Sequence, residues 1–337
     1  MNKMTLALAA CLGFAAGLAQ AETTLRMANW LPPSHPLVTE VMVPFAEQVA
    51  EATQGRVTVD IMGAPLGPPG AHFDFAVNGI ADITFGVQGY SPGRFKTTNI
   101  AELPFLGDSA EAVSVAYWRT FEEMLIDAGE YDQVKVLAVF THGPGQVFTK
   151  GRDLTSVDAI KGVKMRVGGG IVHEIATRIG ATPVEGPSSK AYELLSQGVA
   201  DGILFPYESV AFFKLIPLLD QGLAVPGGLY NTSFYIVMNK AKWESLPDED
   251  KAAIDSVSGE ALARLAGRMW DRVDAAGLAE MEGKIAITTA SDAQVAALAA
   301  QLQPVIDAKL AEVSETGVDG AAALAMMKAE IAAAGTE

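Results

Sequence analysis

The feature that most restricts the fold is an alternation of strand and helix signals punctuated by glycine. Thr24 to Ala28 alternates as a strand does, and the loop Asn29-Trp30-Leu31-Pro32-Pro33-Ser34-His35-Pro36 is kept from helix by its prolines. Val38 to Thr53 then spaces Val41, Phe45, Val49 and Ala52 along one helical face, Gly55 stops that helix, and Val57 to Met62 resumes as a strand. Strand, helix, strand in this order is a βαβ unit, so the chain is predicted to be an α/β protein.

The alternation continues. Helices are expected over Ala71 to Asn78, Ala110 to Ala128 and Ile171 to Ile179, with a further helix ending at Gln197 and another over Val210 to Leu219. Strands are expected at Asp82 to Val87, Val134 to Phe140, Lys164 to Val167, Ile203 to Phe205 and Ser233 to Met238. Two passages match: Asn78-Gly79-Ile80-Ala81-Asp82-Ile83 and Gln197-Gly198-Val199-Ala200-Asp201-Gly202 each place a glycine at a helix end and an acid before a strand. Such turns are common in any α/β protein, so the echo permits a two-lobe correspondence without requiring one. At 337 residues, however, the chain exceeds what one core usually serves, which makes two domains the expectation. From Asp248 to Glu282 almost nothing interrupts a helix, which at ~1.5 Å per residue would run about 50 Å and brace both lobes. The alanine-rich tail from Val295 to Ala334 also reads as helix.

The first 21 residues have a different logic. Lys3, the apolar run Leu6 to Leu18 and the small residues of Ala19-Gln20-Ala21 form a secretory signal peptide, with the mature chain starting at Glu22. Leu8-Ala9-Ala10-Cys11 also resembles a lipidation box, but cleavage there would leave too little apolar signal. Cys11 is the sole cysteine and departs with the signal, so no disulfide, thiolate nucleophile or cysteine metal ligand is expected. The formal charge of -16 argues against nucleic acid and anionic lipid as partners. With no later run of about 18 apolar residues, no direct membrane insertion is expected.

Catalytic patterns are sparse. His35, His72, His142 and His173 show no metal-ligand spacing, and no GxSxG elbow is present. Gly168-Gly169-Gly170 stands between a strand and a helix, where a phosphate loop would lie, yet His173 occupies the last GxGxxG position and no Walker lysine follows. Three glycines before a helix still expose backbone N–H groups suited to an anion. Arg166, immediately before them at the carboxyl end of a strand, lies where ligand crevices of open α/β sheets form. A salt bridge to an acid of the protein itself is the competing role for that guanidinium.

From Leu25 to about Ile287 the chain resembles the substrate-binding proteins of TRAP (tripartite ATP-independent periplasmic) transporters, in the dicarboxylate-binding-protein family. The matching residues include His35-Pro36, Leu66-Gly67, the two glycine turns, Leu103-Pro104-Phe105-Leu106, Ile160-Lys161-Gly162-Val163-Lys164-Met165-Arg166-Val167, Gly180-Ala181-Thr182-Pro183-Val184 and Trp243 with Leu246-Pro247. The resemblance implies a two-lobed periplasmic-binding-protein clamshell with chain crossovers and a long bridging helix. Lobe I would comprise 22–145 plus about 235–265, and lobe II 146–234 plus about 266–337 with the C-terminal helices. It also implies that Arg166 pairs with a ligand carboxylate, a role its planar fork suits better than lysine would.

The sequence departs from better-known members at Ile203-Leu204-Phe205 and Gly143-Pro144-Gly145-Gln146, which points to a more apolar pocket than a sugar acid needs. Trp30, Tyr90, Phe205 and Tyr207 are the expected aromatic walls, with Gln88, Gln146 and Asn231 as hydrogen-bonding groups, core packing being the alternative for each. The expected ligand is a monocarboxylate with an apolar or aromatic body, trapped by lobe closure and delivered to TRAP membrane subunits without cofactor or metal. An uptake receptor of an ATP-driven system and a secreted α/β enzyme acting on an organic acid are the rival readings.

Overall fold

The structure, a computed structural model, describes residues 23–335. The expected signal peptide and Cys11 lie outside the described residues. Along the described chain run the strands β1 (Thr23–Ala28), β2 (Val57–Ile61), β3 (Ile83–Val87), β4 (Val134–Thr141), β5 (Gln146–Thr149) and β6 (Lys164–Val167), then β7 (Thr182–Glu185), β8 (Gly202–Phe205), β9 (Gln221–Ala224), β10 (Ser233–Asn239) and β11 (Ala286–Thr289). They form two sheets, of order β2-β1-β3-β10-β4 and β11-β9-β5-β8-β6-β7. β10 runs antiparallel between β3 and β4 in the first sheet, and β5 runs antiparallel between β8 and β9 in the second. The remaining pairings are parallel, as the βαβ reading requires.

Burial follows strand position. Every residue of β3, β5 and β8 is buried, the near-continuous apolar character of strands covered by helices on both faces. β7, at the edge of the second sheet, carries Pro183, whose missing N–H costs nothing there.

The chain passes from the first sheet to the second through residues 142–145 and returns through 225–232. The two crossing segments lie side by side: Gly145 N donates to Tyr230 O at 2.8 Å, Leu229 N to Gly145 O at 3.1 Å and His142 N to Thr232 O at 3.2 Å. The molecule therefore has two sheets joined by a narrow backbone ribbon, the two-lobed α/β architecture that the resemblance implies.

The long helix differs from expectation. The run from Asp248 is split into Asp248–Ser256 and Glu260–Met281, because Gly259 takes a left-handed φ of +62° and donates its N–H to Leu137 O at 2.6 Å. A Cβ at Gly259 would stand 2.9 Å from the Trp118 ring, so close packing as well as φ selects glycine. Helix Glu260–Met281 still braces both halves. It packs against helix Ala110–Thr120 beside the first sheet and helix Tyr207–Phe212 beside the second.

Helix Asp292–Ser314 opens with a Ser291/Gln294 capping box and packs against both Asn99–Glu102 and Ile171–Arg178. Although the sequence groups the whole tail with the second lobe, its last helix, Gly320–Ala334, lies against Ala110–Thr120 of the first. Among the described residues no helix is long and apolar enough to cross a membrane.

Candidate functional site

A cavity lies where the two sheets and the crossing ribbon meet. One side of its lining comes from the first half (Trp30, Phe85, Tyr90, Glu102 and Phe234) and the other from the second (Arg166, Gly168, Gly169, Phe205 and Phe213). His142 and Tyr230 enter from the crossing segments and Trp270 from the bracing helix.

The aromatic wall is continuous. Trp30 stacks on Phe85 at 5.4 Å and 16°, Phe85 on Phe234 at 5.7 Å and 17°, and Phe234 on Trp270 at 5.9 Å and 19°. It arises because β3 and β10 pair with Phe234 opposite Val87 and Ile236 opposite Phe85, which sets both phenylalanines on one face of the sheet. Aromatic faces of this extent favour a ligand with a flat apolar body.

Arg166 supplies the positive charge. Parallel pairing of β6 with β7 and β8 fixes its backbone, and the side chain is 2 % exposed. The guanidinium does not take up the competing role, a salt bridge to an acid of the protein itself. Nε and Nη2 both donate to Gly186 O, at 3.0 and 2.6 Å, and Cζ lies 4.6 Å from the centre of the Phe205 ring. Among the described residues no carboxylate forms an ion pair with it. Gly186 is itself held by its N–H to Val167 O at 3.1 Å. One edge of the fork is thus locked by backbone and one face by an aromatic ring, while Nη1 keeps its donors for a guest.

Further titratable groups face the cavity, among them the imidazoles of His35 and His142 and the carboxyl of Glu102. Burial brings the His142 imidazole down to about 4, with hydrogen bonding to Gly143 O acting the other way. Its Nδ1 lies 2.5 Å from that carbonyl, so Nδ1 carries the proton and Nε2 is an acceptor. Burial pushes the Glu102 carboxyl up to about 7 against the hydrogen bonds that Ser233 donates to it. Burial likewise brings His35 down to about 3, so at neutral pH the cavity holds one full cation, two neutral imidazoles and a carboxyl that burial keeps partly protonated.

Of the residues singled out in the sequence, Arg166, Trp30, Tyr90 and Phe205 come together on this cavity. The other four do not line it. Gln88 is buried and donates from Nε2 to Tyr131 Oη at 3.1 Å. Gln146 accepts from Val225 N at 2.7 Å, a cross-brace inside the ribbon. Tyr207 sits edge-on to Phe148 in the second core, and Asn231 is 1 % exposed. Gln88 opens the helical turn after β3 and Tyr207 opens helix Tyr207–Phe212, so neither continues the strand face that carries Val87 and Phe205 onto the cavity.

Glu102, His142, Phe85, Tyr230, Phe234 and Trp270 escaped sequence reasoning. The aromatics read as ordinary core. Glu102 alone left a signal, as an isolated acid in the apolar run Ile100-Ala101-Glu102-Leu103-Pro104-Phe105. Among the described residues no group of three or more His, Cys, Asp or Glu is placed to hold a metal ion.

The mouth is closed by glycine. Residues 88–90 after β3 meet 168–170 after β6 so tightly that a Cβ at Gly169 would stand 3.0 Å from Gly89 O, and one at Gly89 would stand 3.6 Å from Gly169 O. Tyr90 Oη crosses the same seam to accept from Ser188 N at 2.9 Å. Gly89 does not use a left-handed φ, so other residues fit its backbone. Gly89→Ala should be tolerated, whereas Gly89→Leu should wedge the lobes apart and weaken ligand about 10-fold or more without lowering the unfolding temperature of the free protein. Calorimetry with small-angle scattering checks this; undiminished affinity for the leucine variant would show that the seam need not close.

Comparison with known proteins agrees with this geometry. The sequence profile of DctP, bacterial extracellular solute-binding protein, family 7, matches residues 27–312. A TRAP periplasmic solute-binding protein from Bordetella bronchiseptica, solved with bound (R)- and (S)-mandelate, is 39% identical. It superposes with a TM-score of 0.89, over 92% of this chain and 98% of that one. A marine metagenome TRAP solute-binding protein specific for aromatic acid ligands, solved with 3-hydroxybenzoate, is 34% identical with a TM-score of 0.86 over 93% and 98% of the two chains. The outer membrane transporter protein TsaT of Comamonas testosteroni is 32% identical over 92% of each chain.

Proposed function

The chain belongs to the bacterial extracellular solute-binding proteins of family 7, and we propose that it is a periplasmic receptor that captures an aromatic monocarboxylate and hands it to TRAP membrane subunits. The observation that carries this reading is Arg166: a buried cation, held on one edge by Gly186 O and on one face by Phe205, and unclaimed by any protein carboxylate in an aromatic cavity between two lobes. A carboxylate takes the remaining edge of the fork through charge-assisted hydrogen bonds, and the ring lies against the Trp30, Phe85 and Phe234 stack.

Both lobes contribute to the cavity, so the ligand binds the closed form better than the open form and shifts the population toward closure. The closed outline is then what the membrane subunits recognise, and an ion gradient does the work that ATP does elsewhere. No chemical step is needed, and the acid leaves unchanged. The mandelate and 3-hydroxybenzoate held by the similar proteins are ligands of the chemistry that this cavity suits.

Calorimetric titration with mandelate, benzoate and glucuronate tests the reading. Binding of one of the aromatic acids with a Kd of about 1 μM or below, worth roughly 8 kcal/mol, is expected, with no measurable heat from glucuronate. Preference for glucuronate would overturn it.

A further inference from the structure

A carboxyl group in a cavity built for an anion is locally unfavourable, and departures of this kind mark functional positions. Glu102 is that group. It ends the short helix Asn99–Glu102, where Leu103 turns extended ahead of Pro104, and it is 3 % exposed. Its two oxygens have different surroundings. Oε1 accepts from Ser233 N at 2.9 Å and from Ser233 Oγ at 2.6 Å, which fixes the side chain to the start of β10. Oε2 makes no hydrogen bond among the described residues and points toward the opposite lobe, where a Cβ at Gly170 would stand 3.6 Å from it. A carboxyl needed only to anchor β10 would not have to stand on the lining of the cavity that Arg166 shares.

We propose that Glu102 Oε2 is a second polar subsite, which reads a hydroxyl group on the ligand while Arg166 reads its carboxylate, so that the preferred substrate class is hydroxylated aromatic monocarboxylates. A hydroxyl serves either state of the carboxyl: it donates to the ionised form and accepts from the protonated one. The half-neutral character of Glu102 in this burial limits repulsion of the incoming anion. A ligand lacking the hydroxyl leaves Oε2 desolvated and unpaired in the closed cleft, which is the penalty that gives polar subsites their selectivity.

The inference rests on the aromatic-acid reading, and the two can fail separately. The test is calorimetry with matched probes: 3-hydroxybenzoate against benzoate and 3-methoxybenzoate, and mandelate against phenylacetate. The wild type should prefer at least one hydroxy acid over its parent about 10-fold or more, and the methoxy compound should show no such gain. Glu102→Leu should bring that ratio close to one, in part by raising benzoate affinity, because the desolvation penalty leaves with the carboxyl. Glu102→Gln, which keeps an oxygen for Ser233 and puts an amide at the cavity face, should retain part of the preference; if the leucine variant does not fold, a lowered ratio in the glutamine variant is the expected result. A wild type that binds benzoate or phenylacetate with no hydroxyl preference would refute the role of Glu102 and leave the receptor reading standing. So would a preference unchanged in the variants. Absence of binding by every aromatic acid would remove both.

Discussion

Arg166→Ala lowers affinity for an aromatic acid such as mandelate by about two to three orders of magnitude, with the circular dichroism spectrum unchanged. The size follows from what is lost: one or two charge-assisted hydrogen bonds, each worth roughly 1.5–3 kcal/mol in a buried setting, and the only full positive charge on the cavity lining. Stability should move less, because truncation also removes a buried cation whose desolvation cost offsets its bonds to Gly186 O. Arg166→Lys should recover little. An ammonium group cannot hold Gly186 O along one edge and a carboxylate along the next, and it lacks the flat face that rests on Phe205. Retention of wild-type affinity by the alanine variant, measured by calorimetry, would exclude this side chain as the anchor.

Folding stability falls as pH rises from about 6.5 to 8.5. The cause is a buried acidic cluster where the bracing helix meets helix Tyr207–Phe212. Asp274 Oδ1 accepts from Glu208 N at 2.7 Å, Glu208 Oε2 accepts from Ser209 Oγ at 2.7 Å, and His35 Nε2 lies 3.6 Å from Glu208 Oε1. Burial pushes Glu208 up to about 8 and Asp274 to about 7, while the same burial brings His35 down to about 3.

The unfolded chain releases the two acidic protons near 4.5 and 3.8, whereas the fold keeps them to about 8 and 7. Their contribution is therefore complete below pH 4 and lost as pH climbs through 7 to 8. His35 acts in the opposite sense: its contribution is complete above 6.5 and lost as pH falls toward 3. The two tendencies oppose each other in mildly acidic solution, and above 6.5 only the decline remains. Glu208→Gln removes one of the protons concerned and should flatten the profile, so that between pH 6.5 and 8.5 the wild type loses roughly 2 kcal/mol more than the variant, at ~1.4 kcal/mol per proton per pH unit. Urea unfolding at a series of pH values measures it; coincident profiles for variant and wild type would show that Glu208 does not hold its proton.

How much of this was readable from the residues alone differs between fold and site. Sheet-forming segments were legible because burial on both faces leaves a continuous apolar run, as in Ile83–Val87 and Gly202–Phe205. The Arg166 position was legible because a charge beside Met165 and Val167 is conspicuous in a strand. The break at Gly259 was not, since its reason is the Trp118 ring packed against it, a residue far away in the sequence. The cavity walls were hidden for a similar reason. Phe85 and Phe234 have the same local sequence character as the core residues Phe45 and Phe121, and only the meeting of two lobes turns the first pair toward a ligand. Gln88 and Gln146 misled because polar side chains near a cleft also serve as braces inside it.

The most direct measurement of the central claim is a crystal structure of the protein with bound mandelate. The account predicts a carboxylate oxygen within about 3 Å of the free edge of the Arg166 guanidinium, the phenyl ring against the Trp30, Phe85 and Phe234 stack, and the 88–90 and 168–170 segments in contact. A ligand whose carboxylate is held elsewhere, with Arg166 bonded only to Gly186 O, would contradict it.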